Sequence, residues 1–361
     1  MDRHLIQRVA QVLGDSFEVD IGNPYFGGGE PYSPVAFDKN NFKSIEEGVM
    51  EKSRIFAVDG GNLEIISTPS VSVSLIRVAA VGFHAKNRIK LNFPDRVEAF
   101  CVVRISAKNG HKYAVLDYFP VQESYADFIP ANSTFDFNTF GEGNIYAELN
   151  IRPLSIFSSM ARKYAEWFYL YKILEHVGEG DFVIRDGVYQ PADNQEEDFV
   201  KKILAKAKEH KIVLTGLAKT TTLVTETGLP VTSALQRLAD KWGVKAPWYY
   251  YPLALNKDDE THGDIYIVKF TDIADYAFRF EIMRKTMYTS IETIFSFLKY
   301  AAHDCIFPGY PYMLLQVDKL ARVERAESKP LYLRLISEMK EKKDMERAIK
   351  SLDAHDWISR Y

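Results

Sequence analysis

The chain has 361 residues, 47% of them apolar, with 23 phenylalanines and 21 tyrosines. That much apolar and aromatic material predicts a large core in one elaborated domain or two, and it excludes a disordered chain. The formal net charge of -4 excludes a polybasic nucleic-acid coat, so any DNA would have to meet locally gathered positive charge, a partner or metal ions.

Met1–Gly14 places Leu5, Ile6, Val9, Val12 and Leu13 at helical spacing. This predicts a helix that packs on the core or on a second subunit. The segment has no long apolar stretch, so no signal peptide is expected. Residues 21–48 are rich in Gly, Pro, Asn and Tyr and read as irregular surface. Arg54–Asp59 (RIFAVD) is a short apolar run that the glycines Gly60 and Gly61 are expected to stop. Leu63–Ser67, Val71–Phe83 and further runs within 88–119 (RIKLNF, AFCVVRIS, KYAVLDYF) read as a strand meander, with Asn109-Gly110 as a hairpin turn.

Pro153 suits the first turn of a long helix reaching about Val177. Met160, Tyr164, Trp167, Tyr171 and Leu174 form one apolar stripe on it, and Gly178 and Gly180 end it. Asp181–Asp186 (DFVIRD) is a buried strand stopped by Gly187. A charged helix over 194–210 and a strand at Lys211–Leu217 follow. Next come a helix over 232–242 and strands at Asp264–Phe270 and Tyr276–Ile282. A helix over Thr289–Ala302 precedes a last helical set opened at Gly309-Tyr310-Pro311. The charge-alternating stretch 328–354 reads as a solvated helix face, with a docking surface as the alternative. The order of elements predicts an α/β or α+β fold with a mixed sheet. Cys101 and Cys305 have no zinc or disulfide spacing, which points to a reducing cytoplasm. No run of about 18 apolar residues predicts a membrane span.

Asp59 and Asp186 carry the chemistry. Each closes an apolar strand and is followed by glycine, and carboxylates at strand ends are presented where ligands bind. Two acids brought to one rim repel unless protonated or bridged by a cation. Mg²⁺ and Mn²⁺ favour oxygen ligands, and a pair of such ions about 3.5–4 Å apart can activate water and stabilise the leaving oxygen of a phosphodiester. Gly60 and Gly61 would let a phosphate backbone approach; the competing reading of Asp59-Gly60 is a turn. Glu166 lies beside the apolar stripe of the long helix, either as a third metal ligand or paired with Arg162 one turn earlier. Lys219, beside Thr220, Thr221 and Thr222, is a phosphate holder or an exposed loop lysine. Arg279 and Glu281 alternate with Phe278, Phe280 and Ile282, which sets them on the opposite strand face as a pair with outside partners and makes Arg279 a candidate DNA contact. The Gly27–Gly29 run lacks the Lys-Ser/Thr ending of a phosphate loop, and the eight histidines show no metal spacing.

Taken in order, FAVDGGN (56–62), ARKYAEW (161–167), FVIRDG (182–187), LAKTT (217–221), YAFRFE (276–281) and GYPYMLLQVD (309–318) resemble the NurA nuclease family over roughly residues 54–325. The resemblance implies a ribonuclease-H-like mixed sheet flanked by helices, with a β-rich insertion and C-terminal helices. It divides the chain into residues 1–50 for dimerisation or partner contact, a nuclease domain over 51–325 and a helical segment over 326–361. It also implies a toroidal homodimer that uses Mn²⁺ (or Mg²⁺) and partners a HerA-like hexameric ATPase in DNA end resection. Such a nuclease would act on single-stranded DNA and on duplex ends from 5′ to 3′. By motif, Asp59, Glu166 and Asp186 would be metal ligands and Tyr310 would lie near the scissile phosphate. A basic channel lining would draw on Lys86, Arg88, Lys90 and Lys219. The chain departs from the family where a histidine is usual, eight residues after that tyrosine, and has Asp318.

Two other classes fit parts of the pattern. An actin- or sugar-kinase-like ATPase also opens on a strand-Asp-Gly-Gly hairpin, but no glycine-rich adenosine segment follows. A nuclease-fold interaction subunit with a weakened site would follow from Asp318. Aspartate can ligate a hard metal but cannot act as a neutral imidazole ligand or a cationic acid. Asp318→His is therefore expected to shift the Mg²⁺ against Mn²⁺ preference of cleavage; an unchanged rate in both metals would refute this.

Overall fold

The computed structural model describes residues 3–17, 20–27, 31–48, 53–68, 70–85, 87–108, 111–136, 154–303 and 307–339. Asn109-Gly110, Pro153, Lys86, Gly28, Gly29, Cys305 and the stretch 340–354 lie outside them. In chain order the early elements are α1 (Arg3–Phe17), β1 (Pro24–Tyr25), β2 (Tyr32–Pro34), β3 (Phe42–Ser44), β4 (Arg54–Ser67), β5 (Val71–His84), β6 (Asn87–Ile89), β7 (Arg96–Lys108), β8 (His111–Pro120) and β9 (Ser133–Asp136). Then come α2 (Leu154–Ile173), β10 (Phe182–Asp186), α3 (Asn194–Glu209), β11 (Val213–Ala218), β12 (Val224–Thr225), α4 (Val231–Trp242), β13 (Trp248–Tyr250), β14 (Ala254–Asn256), β15 (Asp264–Lys269) and β16 (Phe278–Ile282). Helices α5 (Ile291–Ala301), α6 (Tyr312–Ala321) and α7 (Arg325–Glu338) close the series. The protein is thus a mixed α/β chain, and among the described residues no helix is long and apolar enough to cross a membrane.

The chain divides into two compact units: residues 1–57, 82–89 and 177–315 form the first, and 58–81, 90–176 and 316–361 the second. The first unit holds a mixed sheet in the order β3-β13-β15-β16-β11-β10. All its pairs are antiparallel except β10–β11, which run parallel with Phe182 opposite Val213 and Asp186 opposite Leu217. Parallel neighbours need a crossover, and α3 supplies it. Asp193 caps that helix by accepting from the backbone N–H groups of Gln195 and Glu196. One side of the sheet is a cluster in which Phe42 packs edge-on against Trp248 and Tyr250, with Leu235, Leu238, Ile265 and Ile267 around them. Phe295 of α5 packs against Tyr249 and Phe280.

The second unit is an antiparallel meander, β5-β7-β8-β9, with the later part of β4 beside β5. Helix α2 lies on it through its aromatic stripe. Tyr164 stacks on Phe135, the Tyr169 hydroxyl donates to the Pro94 carbonyl at 2.6 Å, and Tyr118 donates to the Ala161 carbonyl at 3.0 Å. Cys101 is buried, and desolvation pushes its thiol up to about 12, which makes it an inert core residue.

Three expectations are corrected and a fourth is narrowed. β4 does not stop at Asp59 but runs on through Gly60 and Gly61 to Ser67; neither glycine takes the positive φ that a turn would need. The real turn comes later, where Thr68 bonds Val71. Residues 21–48 contain three short strands, each two or three residues long, too short to show a period. Helix α1 forms, and Leu5, Ile6, Val9, Val12 and Leu13 are half or more exposed, which removes packing on this chain's own core and keeps the second-subunit alternative. Finally, the 328–354 stretch is not a bare solvated face where described. Leu331, Tyr332, Leu335 and Ile336 of α7 pack against Ile65, Ile66 and Leu75.

A charged clamp fixes α7. The buried Arg77 guanidinium meets Glu98 at 2.6 Å and Glu327 at 2.8 Å, and donates to the Arg322 carbonyl. The hydrogen bond from Arg77 holds the Glu327 carboxyl below the usual carboxylate range. A carboxyl with a depressed folded pKa stabilises above its unfolded value and loses that contribution as the pH falls through the folded one. Glu327→Gln is therefore expected to lower the Tm at pH 7, with the gap to wild type closing as the pH drops below about 4; a gap that stays constant in thermal melts across that range would refute it.

Candidate metal centre

In the first unit, Asp186 ends β10, whose Phe182, Val183, Ile184 and Arg185 are all buried. The loop behind it is pinned from several sides. Gly187, at φ 136°, donates to the Leu217 carbonyl at 2.9 Å. Arg185 donates to the Val188 carbonyl, and the backbone N–H of Tyr189 donates to Glu281 at 2.7 Å. Gly216 matters here because a Cβ on it would run into the Gly187 carbonyl.

Lys219, just past β11, sets its Nζ 2.6 Å from Asp186 Oδ2 and 5.6 Å over the Tyr310 ring. The Tyr310 hydroxyl donates to the same Asp186 oxygen at 3.4 Å. Tyr310 is fully buried, held edge-on by Phe307 and Phe278. A tyrosine of this kind keeps its ring dry and its hydroxyl aimed at a polar group.

In the second unit, Asp59 lies within β4 and accepts from the Gly60 N–H at 2.7 Å. Gly60 and Gly61 do not leave open room for a phosphate backbone. A Cβ on Gly60 would lie 2.9 Å from Glu166, and one on Gly61 would strike the Ala321 carbonyl. The glycines let α2 and α6 close on the strand. Glu166 is fully buried and pairs with Arg162 at 2.7 Å, while Arg162 also donates to the Gly60 carbonyl at 3.2 Å. Asp318 on α6 pairs with Arg322 one turn on, at 2.6 Å.

Asp59, Asp186 and Asp318 each offer a carboxylate oxygen, and the three lie within 4.8 Å of one another. Oxygens that far apart can share a hard cation ligated at 2.0–2.6 Å. Glu166 is not one of this group. Arg279 is a buried internal charge rather than a surface contact, 5% exposed, paired with Glu281 at 2.5 Å and donating to Gln190 at 3.2 Å. The alternation in the sequence located the pair, but both faces of β16 are buried. The sequence reading missed Arg322 and the loop-pinning role of Glu281. The Asp-x-x-x-Arg spacing was a signal for the first; the second has none, since it depends on the β11–β16 register.

No family model matches the chain, and no curated protein matches it. Solved structures similar to it include the following three. Endonuclease V of Ciona intestinalis, in complex with a 24mer DNA containing an inosine followed by a ribo-adenosine, is 13% identical over 80% of this chain and 92% of that chain, with a TM-score of 0.34. Argonaute of A. aeolicus is 10% identical over 77% of this chain and 30% of that one, at 0.29. Drosophila Piwi is 11% identical over 75% and 30%, at 0.31. TM-scores below 0.5 carry nothing about this chain's chemistry.

Closing α6 onto β4 requires a residue without a side chain at 61. Gly61→Ala is expected to destabilise the protein by about 1–3 kcal/mol, read by chemical denaturation; wild-type stability would show that the helix can retreat without cost.

Proposed function

We propose that this chain is a divalent-metal-dependent DNA nuclease in which Asp59, Asp186 and Asp318 hold the metal. One observation carries this reading: three carboxylate oxygens from distant points in the chain, all within 4.8 Å. So close a group of like charges is unfavourable without cations, and oxygen-only ligands select Mg²⁺ or Mn²⁺ over softer metals. A bound divalent ion would supply an activated water and Lewis acidity toward a phosphodiester.

The protein's own groups then divide the work. Asp186 and Asp318 contribute ligand oxygens from a strand end and a helix. Asp59 contributes a third from within β4, held there by Arg162 and Glu166 on the neighbouring Gly60. In this reading Glu166 acts through position, with direct ligation as the variant that the sequence resemblance implies. The Tyr310 hydroxyl donates to a phosphate oxygen from its place beside Asp186, and Lys219 offers the positive charge nearest to that phosphate. Gly60 and Gly61 serve by keeping helices close, and Arg279 by holding the loop after Asp186.

The finer role follows the NurA resemblance. A ribonuclease-H-like core over residues 51–325 would resect DNA ends with Mn²⁺, as a homodimer working with a HerA-like hexameric ATPase, in the cytoplasm. Residues 1–50 would make dimer or partner contacts, which suits the exposed apolar face of α1. The kinase-like alternative is disfavoured because no phosphate hairpin turns at Asp59-Gly60-Gly61, where β4 continues.

Cleavage of end-labelled single-stranded DNA in Mn²⁺ is expected for wild type and to fall about 100-fold or more in Asp59→Ala and in Asp186→Ala. Equal cleavage by wild type and both variants would remove the nuclease reading.

A further inference from the structure

The cations already at this site suggest how it is loaded. Lys219 Nζ sits 2.6 Å from Asp186, the distance at which an ammonium takes up a carboxylate lone pair that a metal ion could otherwise use. The Tyr310 ring, 5.6 Å away, offers its face to the same charge. The Lys219 side chain is 39% exposed, so its flexible stem has solvent to swing into. Arg322 engages Asp318 in the same manner at 2.6 Å and is 57% exposed. Two of the three carboxylates therefore each carry a partly exposed side-chain cation.

We infer that Lys219 is a built-in competitor for the divalent ion. It holds Asp186 in the metal-free protein, is displaced when the ion binds, and then passes to the phosphate of a bound single strand. The inference rests on the metal-site reading above. A divalent ion and an ammonium on one carboxylate repel each other and compete for its lone pairs. An ammonium released beside a bound strand finds its nearest new anion in the phosphodiester. Metal loading and strand binding are thereby coupled: the ion frees the lysine, and the strand keeps it from returning.

The test uses the full chain and two binding measurements. Mn²⁺ affinity is measured by calorimetry without DNA, and single-stranded oligonucleotide affinity by fluorescence anisotropy in Ca²⁺. Lys219→Met is expected to bind Mn²⁺ at least 10-fold more tightly and the oligonucleotide at least 5-fold more weakly. Lys219→Arg, which keeps the charge, is expected to stay within about 3-fold of wild type for Mn²⁺. Lys219→Gln stands in if Lys219→Met does not fold. Asp186→Asn, in parallel, is expected to abolish the Mn²⁺ signal. If Lys219→Met leaves Mn²⁺ affinity unchanged or weaker while Asp186→Asn abolishes it, the metal site stands and the competition is overturned. If Lys219→Met tightens Mn²⁺ but leaves oligonucleotide affinity unchanged, the transfer to phosphate is overturned. If Asp186→Asn binds Mn²⁺ as wild type does, the metal-site reading fails and the competition with it.

Discussion

Mutual repulsion among Asp59, Asp186 and Asp318 is the constraint on which the rest of the site depends. Three carboxylates within 4.8 Å repel one another unless a proton or positive charge is brought to them. The protein meets part of that demand with its own side chains, Lys219 on Asp186 and Arg322 on Asp318. It also fixes the backbone carrying each acid with rigid, buried elements. β10 is packed on both faces, the loop behind Asp186 is tied down through Arg185 and Glu281, and β4 is closed over by α2 and α6 where glycines permit it. Each acid is thereby carried on stiff backbone within its own unit, which suits a group proposed to hold a metal ion.

Buried ion pairs recur around this frame. Arg77 with Glu98, Arg162 with Glu166, and Arg279 with Glu281 sit at low exposure, and Arg77 also reaches the more exposed Glu327. Replacing such pairs by apolar residues often costs little stability, so their use here is better understood as registration. Each ties a particular carbonyl, N–H or helix turn to one position: the Arg322 carbonyl, the Gly60 carbonyl and the Tyr189 N–H in turn.

Much of this was legible in the sequence. The apolar stripe at Met160, Tyr164 and Trp167 announces α2, because a helix face buried against a sheet must repeat with the helical period. The strands ending in Asp186 and near Lys219 follow from continuous apolar runs, as buried parallel strands require. Asp59 was recognised as a ligand candidate but set in the wrong local structure. Two successive glycines ordinarily signal a turn, and only the approach of Glu166 and the Ala321 carbonyl reveals why side chains are excluded from an extended strand. Glu166 had two readings at equal standing, and it does pair with Arg162, which leaves the ligand reading as a proposal. Short strands such as Trp248–Tyr250, set between Pro247 and Pro252, offer too few residues for any periodicity to register.

The parallel pairing of β10 with β11 has a consequence for how this protein can vary. Because the two strands share polarity, their downstream ends emerge at one rim and deliver an acid and a base from separate stretches of chain to the same spot. Side chains along an extended strand point alternately to its two sides. Gaining or losing a single residue within Val213–Ala218 would therefore invert the sidedness of that strand. Length changes are tolerable in the connection that includes α3 but not inside either strand it joins, so the spacing between acid and base along the chain is free to drift while the pleat between them is not.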